Sequence, residues 1–143
     1  MSKISELLDE IKVKDIMNLD VITIPSDAPV GDAAKIMLKN QIHGLPVVNS
    51  DNQNEVLKIV TSFDLLGLTY YGRFSEDTDY IKTTSVEKLT KDQTLISVSP
   101  DATIKDVLKI SADKGISMLP VIDNGKMAGI VSLLDIIRKL LTL

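Results

Sequence analysis

Two four-residue motifs of the same form could bind a polar ligand. Thr61 and Asp64 form the first motif, and Ser132 and Asp135 form the second, so each has a hydroxyl residue three positions before an aspartate. Each motif follows an apolar stretch typical of a strand and precedes one typical of a helix. A hydroxyl and a carboxylate at this spacing can form a capping box, which satisfies free N–H groups at a helix start. The same carboxylate could instead accept hydrogen bonds from two adjacent ribose hydroxyls, while the helix N-terminus binds a phosphate.

The two motifs lie in two copies of one sequence pattern. Shifting residues 21–49 forward by 74 positions superposes them on residues 95–123, so that Leu45-Pro46-Val47 matches Leu119-Pro120-Val121. Beyond a polar loop the offset falls to 71, a difference of 74 − 71 = 3 residues, and Ile59–Asp64 then matches Ile130–Asp135. A repeat of this period indicates two similar units that bury one face against each other. Any ligand site is therefore expected twice.

Hydrophobic patterns predict the order β-α-β-β-α in each copy. In the first copy we expect strands at Val21–Ile24, Leu45–Val48 and Leu57–Val60. We expect one helix that begins at Val30, between the first two strands, and another that begins at Asp64. Proline cannot donate to a strand ladder, so Pro46 and Pro120 predict edge or irregular strands. In the second copy Thr103 and Asp106 predict a capping box at the helix start. Pro29 suits the corresponding start in the first copy through its fixed φ.

The expected fold class is mixed α/β (α+β), with two pseudo-symmetric units packed sheet to sheet. An N-terminal helix is predicted because the apolar residues Ile4, Leu7, Leu8 and Ile11 follow helical spacing. The predicted boundaries are the helix at residues 1–12, the first unit at 13–68, a linker at 69–85 and the second unit at 86–143. Each unit alone would be marginally stable because a chain of roughly 60 residues buries too little surface.

The composition argues against several classes of protein. The 143 residues carry a net charge of −4 without any cluster of Lys or Arg, so we expect no binding of nucleic acid. No apolar run approaches the ~20 residues of a membrane span, and the acidic start is unlike a signal peptide. The chain has no cysteine, which excludes disulfides and thiolate chemistry. We therefore expect a cytoplasmic protein without membrane contact.

Catalytic residues are sparse. His43 is the only histidine, and a general base or a metal ion needs further partners. The sequence has no phosphate-binding loop of the form G-x-x-x-x-G-K-[ST] and no Gly-rich dinucleotide turn. We predict no enzymatic activity, no metal and no cofactor. His43 is either an exposed or capping residue, or a contact to phosphate or base that would strengthen nucleotide binding at lower pH.

The five aromatic residues of the chain all fall between positions 63 and 80, namely Phe63, Tyr70, Tyr71, Phe74 and Tyr80. One interpretation is that they cover the seam where the linker crosses the domain. The alternative is a contact surface for a second copy or a partner, since exposed aromatic residues favour interfaces.

Taken together, the repeated β-α-β-β-α plan, the Leu-Pro-Val strands and the two hydroxyl-x-x-Asp motifs resemble a pair of cystathionine β-synthase (CBS) domains, or Bateman module. The resemblance covers residues 13–140. It implies a stand-alone regulatory module that binds AMP, ADP, ATP or S-adenosylmethionine in clefts between the two units. It also implies a homodimer and an unidentified regulated protein. The alternative is a ligand-free interaction scaffold whose two motifs are only helix caps.

The resemblance also implies which residues bind the ligand. The first cleft would combine residues of both copies, namely Thr61 and Asp64 with Leu95, Ile116, Ser117, Met118 and Pro120. The second would combine Ser132 and Asp135 with Val21, Ile42, His43, Gly44 and Pro46. In the family, backbone groups before the proline face the adenine edge and apolar side chains enclose the ring. We expect the second cleft to bind more tightly because its partner strand is open at Gly44 and carries His43.

Three positions depart from the family pattern. Lys58 stands where many members have a glycine, which the second copy keeps as Gly129. Gly44 and Met118 stand where some members place an arginine that reaches phosphates. A polyphosphate is therefore a weaker expectation than AMP, ADP or S-adenosylmethionine. Other cations that could contact a phosphate are Arg138, Lys139 and Lys14.

Overall fold

The chain folds into two units that each combine one sequence copy with a segment preceding the other copy. A computed structural model describes residues 3–70 and 79–143. The composite unit contains Met1–Val21 together with Ile96–Leu143, and the central unit contains Ile22–Leu95. The fold is mixed α+β, as the sequence predicted.

The elements follow the predicted order in the first copy, whereas in the second copy the first predicted strand is reduced to a single bridge at Val98. The helices are α1 (Ile4–Glu10), α2 (Val30–Asn40), α3 (Ser62–Tyr70), α4 (Tyr80–Thr83), α5 (Val86–Leu89), α6 (Ile104–Lys114) and α7 (Leu133–Leu141), with a 3₁₀ turn at Val13–Asp15. The strands are β1 (Ile24–Pro25), β2 (Gly44–Asn49), β3 (Asn52–Thr61), β4 (Met118–Asp123) and β5 (Lys126–Ser132). The N-terminal helix is confirmed. The predicted strand at Val21–Ile24 is wrong in extent, because strand pairing there begins only at Ile24.

The central unit contains a three-stranded sheet in the order β1-β2-β3. β1 runs parallel to β2, and the first paired residues are Ile24 and Val47. β3 runs antiparallel to β2, and Gly44 pairs with Thr61 at the end of β3. Apolar side chains of the sheet, α2 and α5 form the core, which includes Ile24, Ala33, Met37, Leu45, Val47, Val60 and Val86. The β2–β3 hairpin is longer than predicted, so the two strands are separated only by Ser50 and Asp51.

The composite unit repeats this arrangement with a shorter sheet. β4 and β5 pair antiparallel, and Val98 forms a single parallel bridge with Val121 that corresponds to the Ile24–Val47 pair. Its core includes Val13, Val98, Ile104, Val107, Leu119, Val121, Val131 and Ile136. Val13 comes from the segment that precedes the first copy, so this core needs chain from both ends.

The two prolines occupy places where a backbone donor is not needed. In the composite unit Val98 N–H donates to Pro120 O over 3.1 Å, so the carbonyl of Pro120 points away from β5. The nitrogen and the carbonyl of one strand residue point to the same side, so the nitrogen of Pro120 also points away from β5. The proline therefore removes no hydrogen bond from the β4–β5 ladder. β2 is the middle strand of its sheet, so the edge-strand alternative is wrong for Pro46. The irregular-strand alternative is confirmed by a register shift between Val47 and Val48.

Equivalent hydrogen bonds attach the preceding segments to both copies. Val13 N–H donates to Ala102 O over 2.8 Å in the composite unit, and Val86 N–H donates to Ala28 O over 2.9 Å in the central unit. Ala28 and Ala102 match at the repeat offset, 102 − 28 = 74. The repeat therefore extends to the segments that begin at Val13 and Val86, which the sequence comparison from Val21 onward does not cover.

The amphipathic helices begin with the caps that the sequence predicted. In α6 the Asp106 N–H donates to Thr103 Oγ1 over 3.2 Å, and Thr103 N–H donates back to Asp106 Oδ2 over 2.9 Å. In α2 Pro29 precedes the first helical residue with φ at −70°. Within the described part of the chain, no helix is long and apolar enough to cross a membrane.

Gly129→Ala should destabilise the protein by about 1–3 kcal/mol, the usual cost of overpacking. Gly129 is buried in β5, and a Cβ there would lie 2.8 Å from Asn18 O and 3.0 Å from Met17 Sδ. Asn18 cannot retreat cheaply, because its N–H and carbonyl both pair with Ile130, over 2.8 and 3.0 Å. Urea unfolding measures the change in the free energy of unfolding.

Gly67→Ala is the matched control for this substitution. Its Cβ would meet only the Phe63 side chain, at an ordinary distance of 3.6 Å. Replacing a helical glycine by alanine gains about 1 kcal/mol at most, so this variant should be as stable as the wild type or more stable. Equal stability of Gly129→Ala and wild type would contradict the prediction.

Candidate functional site

Both hydroxyl-x-x-Asp motifs lie at a junction where a strand leads directly into a helix. Thr61 ends β3 and Ser62 begins α3, while Ser132 ends β5 and Leu133 begins α7. All four side chains of the motifs are half-buried. A helix start leaves N–H groups without intrahelical partners, so a polar residue at each junction is required whether or not a ligand binds.

The capping alternative is realised at both junctions. Asp135 Oδ2 accepts hydrogen bonds from Ser132 N–H over 2.8 Å and from Ser132 Oγ over 3.0 Å, and Asp135 N–H lies 3.3 Å from Ser132 Oγ. At the other junction Asp64 Oδ2 accepts from Thr61 N–H over 2.8 Å and from Thr61 Oγ1 over 2.9 Å. The capping bonds use one carboxylate oxygen of each aspartate and fix the direction of the other.

The surroundings of the two carboxylates differ in charge. Arg138 donates to Asp135 Oδ1 over 3.0 Å, and its side chain is 70% exposed whereas that of Asp135 is 14% exposed. Gly67 stands at the position of Arg138 in the first copy, 138 − 71 = 67. Asp64 instead receives its additional hydrogen bond from Gln93 Nε2, 2.9 Å from Oδ2. One carboxylate is therefore next to a cation and the other next to a neutral amide.

The residues preceding β2 and β4 lie beside these helix starts. Ser62 N–H donates to His43 O over 2.8 Å, and Leu133 N–H donates to Ser117 O over 3.0 Å. The side chains of His43 and Ser117 are both exposed. His43 is therefore exposed, and its backbone carbonyl contacts the helix start, while the contact of its side chain with a phosphate or base stays a prediction.

The remaining predicted site residues are divided between the units. The structure brings Gly44 beside Thr61 and Met118 beside Ser132 as strand partners. Gly44, Pro46 and Pro120 are buried, and Val21, Ile42, Leu95, Ile116 and Met118 are half-buried. The combination of residues from both copies in one cleft stays a prediction, because the contacts of each junction lie within its own unit.

Two of the three predicted phosphate-binding cations already have partners. Arg138 pairs with Asp135, and Lys14 Nζ lies 3.1 Å from Asp101 Oδ1 with both side chains exposed. The hydrogen bond and charge of Lys14 lower the pKa of Asp101, and the same contact raises the pKa of Lys14. In residues 3–70 and 79–143, no group of three His, Cys, Asp or Glu side chains is placed to hold a metal ion.

Sequence reasoning missed Gln93 and the contact role of Lys58. The sequence marks Lys58 only as a departure from glycine, yet its ammonium donates to the Gln93 carbonyl. The repeat comparison begins at Val21 and leaves out the segments that precede Val21 and Leu95. Residues 13–21 match residues 86–95 with one extra residue in the second segment, and that comparison would have placed Gln93 in a segment that meets β3.

The aromatic cluster is only partly described. Phe63 is exposed on α3, whereas Tyr71 and Phe74 lie outside the described residues, as do the side chains of Tyr70 and Tyr80. The choice between a covered seam and a contact surface stays open for these four.

Family comparison assigns the chain to a known class. The CBS-domain family model matches residues 13–70 and 86–142, so the chain belongs to the CBS-domain family. A homoserine O-acetyltransferase of Methanosalsum zhilinae is 38% identical over 130 residues, covering 90% of this chain but 24% of that protein. An uncharacterised 17.7 kDa protein from the bps2 3′ region of Acidianus ambivalens is 34% identical, covering 91% of this chain and 73% of that protein.

Solved structures of CBS domains share the fold. The CBS domain pair of protein MJ0100, in complex with 5′-methylthioadenosine and S-adenosyl-L-methionine, is 26% identical with a TM-score of 0.72 and covers 92% of this chain and 96% of that one. The CBS domain of a bacterial CNNM/CorC family Mg²⁺ transporter in complex with ATP has a TM-score of 0.78 at 21% identity, covering 96% and 92%. CBSX2 in complex with AMP has a TM-score of 0.75 at 22% identity, covering 92% and 97%.

Lys14→Met should return the pKa of Asp101 towards its usual value of 3.8, from which the Lys14 hydrogen bond and charge lower it. A lowered pKa in the folded state contributes stability above the unfolded pKa, and this contribution is lost as the pH falls through the folded pKa. The variant should therefore lose a little stability at neutral pH and none at strongly acidic pH. NMR titration of the Asp101 carboxyl carbon measures the pKa directly.

Lys105→Met is the control, because Lys105 forms an exposed pair with Asp9 at 3.4 Å and does not contact Asp101. The Asp101 titration should be unchanged in this variant. An Asp101 pKa that is the same with and without Lys14 would refute the assignment of the pair.

Proposed function

We propose that the chain is a regulatory module that binds an adenosine-containing ligand, with Asp135 and Asp64 accepting hydrogen bonds from the ribose hydroxyls. The main support for the proposal is the way in which the two carboxylate oxygens of Asp135 are oriented. Its Oδ2 is held by Ser132, and its Oδ1 contacts only the exposed Arg138 among the described residues. A ribose hydroxyl can bond to Oδ1 without disrupting the cap of α7.

Arg138 suits an anionic part of such a ligand. Its guanidinium has more donors than the single hydrogen bond to Asp135 uses, and arginine binds phosphate or carboxylate groups in two-point geometry. AMP, ADP, ATP and S-adenosylmethionine therefore remain candidate ligands. Support for the adenosine class comes from the MJ0100 domain pair, whose structure contains 5′-methylthioadenosine and S-adenosylmethionine.

We further propose that ligand occupancy regulates a protein that this chain adjoins or contacts. The chain spans only 24% of the matching acetyltransferase and 43% of an uncharacterised Methanocaldococcus jannaschii protein, as expected of a module within larger proteins. We propose binding rather than catalysis, since the only histidine is exposed and beside no second histidine or cysteine.

The second candidate function is a ligand-free interaction scaffold. The specific observation in its favour is that both capping boxes are complete without a ligand. In that case Asp64 and Asp135 would stabilise their helices and do nothing else.

Asp135→Ala should weaken binding of S-adenosylmethionine or AMP by about 1.5–3 kcal/mol, the scale of hydrogen bonds to a charged group. Each 1.4 kcal/mol is about tenfold in the dissociation constant. Isothermal titration calorimetry on the purified chain measures this change, and the wild type should show a thermal shift with the same ligand.

Asp106→Ala is the matched control, because it removes a capping box of the same geometry from α6. Both variants should lose about 1 kcal/mol of stability through the lost cap, but only Asp135→Ala should lose ligand affinity. If both variants lose stability alike and bind normally, Asp135 is only a cap and the scaffold function is favoured.

We also propose that the chain forms a homodimer through α7 and α3. In α7 Leu134, Ile137 and Leu141 are exposed at helical spacing, and in α3 Phe63 and Leu66 are exposed at the positions of Leu134 and Ile137. Contiguous exposed apolar residues mark interaction sites. Exposed apolar residues thus recur at matched places in both sequence copies. This recurrence favours a second molecule of the same chain as the partner, since a symmetric dimer uses one surface twice.

Ile137→Glu should convert the dimer to a monomer, because burying an unpaired carboxylate in an apolar interface is costly. Ile137 is 52% exposed in the single chain, so the substitution should leave the fold intact. Sedimentation velocity at a concentration where the wild type is dimeric measures the change. Leu38→Glu, at a 73% exposed position of α2, is the control and should remain dimeric. A dimeric Ile137→Glu protein would exclude this interface.

A further inference from the structure

The Asp64 carboxylate already has an intramolecular occupant. Asp64 Oδ2 accepts three hydrogen bonds, from Thr61 N–H, from Thr61 Oγ1 and from Gln93 Nε2. The first two belong to the capping box of α3. The third comes from a residue 29 positions away in sequence, in the segment that precedes the second copy, and no described residue makes a corresponding contact with Asp135.

Lys58 holds Gln93 in this position. Its ammonium donates to the Gln93 carbonyl, and the contact is half-buried. Lys58 faces Val47 in the β2–β3 ladder, just as Gly129 faces Val121 in the β4–β5 ladder. At Gly129 the absence of a side chain lets the Asn18 backbone approach and pair with Ile130. In the central unit the lysine side chain replaces that backbone pairing and attaches Gln93 through its carbonyl.

We propose that Gln93 competes with the ligand for Asp64 and so sets the affinity of this site below that of the Asp135 site. The inference rests on the proposed function, since it concerns how the same class of site is used. A ribose offers two adjacent hydroxyls. One can bond to Asp64 Oδ1, but the other reaches Oδ2 only by displacing the Gln93 amide, because that oxygen already accepts three hydrogen bonds. At Asp135 the matching oxygen Oδ2 accepts one hydrogen bond fewer, from Ser132 alone among the described residues, and Arg138, the partner of Oδ1, has a side chain largely in solvent.

The two sites then differ in chemical preference as well as in affinity. The Asp135 site combines a carboxylate with a guanidinium, and it fits a nucleotide or another anionic adenosine compound. The Asp64 site combines a carboxylate with a neutral amide, and α3 carries Gly67 where α7 carries Arg138. The Asp64 site therefore fills second as the concentration of an anionic ligand such as AMP rises.

The test measures AMP binding by calorimetry in an Asp135→Ala background, in which Asp64 remains as the acceptor. Adding Gln93→Ala should tighten AMP binding about tenfold, because one hydrogen bond to the carboxylate no longer has to be broken. Adding Lys58→Met instead should tighten it by a smaller factor, since the amide remains but loses its attachment. Met retains the apolar stem of Lys58, so the second variant keeps the strand packing.

Gln53→Ala is the control, because Gln53 is exposed in the same strand as Lys58 and forms no hydrogen bond through its side chain. It should leave AMP affinity unchanged. The inference alone would be overturned if AMP binding were unchanged or weaker in both the Gln93→Ala and the Lys58→Met proteins, provided that both retain the unfolding midpoint of the Asp135→Ala background. Failure of the wild-type chain to bind either AMP or S-adenosylmethionine at millimolar concentration would overturn the proposed function, and the inference with it.

Discussion

The strand-to-helix junction is the constraint on which the candidate sites depend. A helix that starts directly after a strand has N–H groups that need acceptors, and here a hydroxyl and a carboxylate three residues apart supply them. The resulting bonds hold Ser132 and Asp135 in one geometry, with Oδ2 used for the cap and Oδ1 directed elsewhere. The cap would therefore not compete with the ligand proposed to bind Asp135. It fixes the carboxylate in advance, so that a ligand would not have to order the side chain when it binds.

Differences between the copies arise where the preceding segments meet the sheets. At Gly129 the backbone of Asn18 lies close enough to pair with Ile130, and a Cβ would collide with it. At Lys58 a long side chain occupies the corresponding place and bonds to the Gln93 carbonyl. One substitution in a strand thus changes how a remote segment attaches, and the attached segment changes which donors surround Asp64. Pseudo-symmetry of the backbone is kept while the chemistry of the two junctions diverges.

The repeat explains why much of the fold was predictable from sequence. Helical and strand periodicity located α2, α6 and the two hairpins, and the spacing of Thr103 and Asp106 predicted a cap that the structure contains. Periodicity could not predict β1 correctly, because Val21–Thr23 are apolar or β-branched but pair with no strand in the described part of the chain. It could not predict Gln93 either, because its role depends on a tertiary contact with Lys58 and Asp64. The motif residues were visible because their function is local, whereas the residues that distinguish the two sites act across long sequence separations.

The position of the proposed dimer face relative to the proposed ligand site gives the regulatory role a physical basis. Leu134 immediately precedes Asp135, and Ile137 immediately precedes Arg138, so apolar surface and polar site residues alternate along the same turns of α7. A ligand that binds Asp135 and Arg138 would act on a helix whose other exposed side chains would contact the second molecule of the dimer. Ligand and partner can influence each other only if the helix makes different contacts in the bound and free states. α7 is a nine-residue helix whose buried Ile136 and half-buried Leu133 and Leu140 pack on the composite core, so its exposed side is the part on which the proposed ligand and the proposed partner would both act.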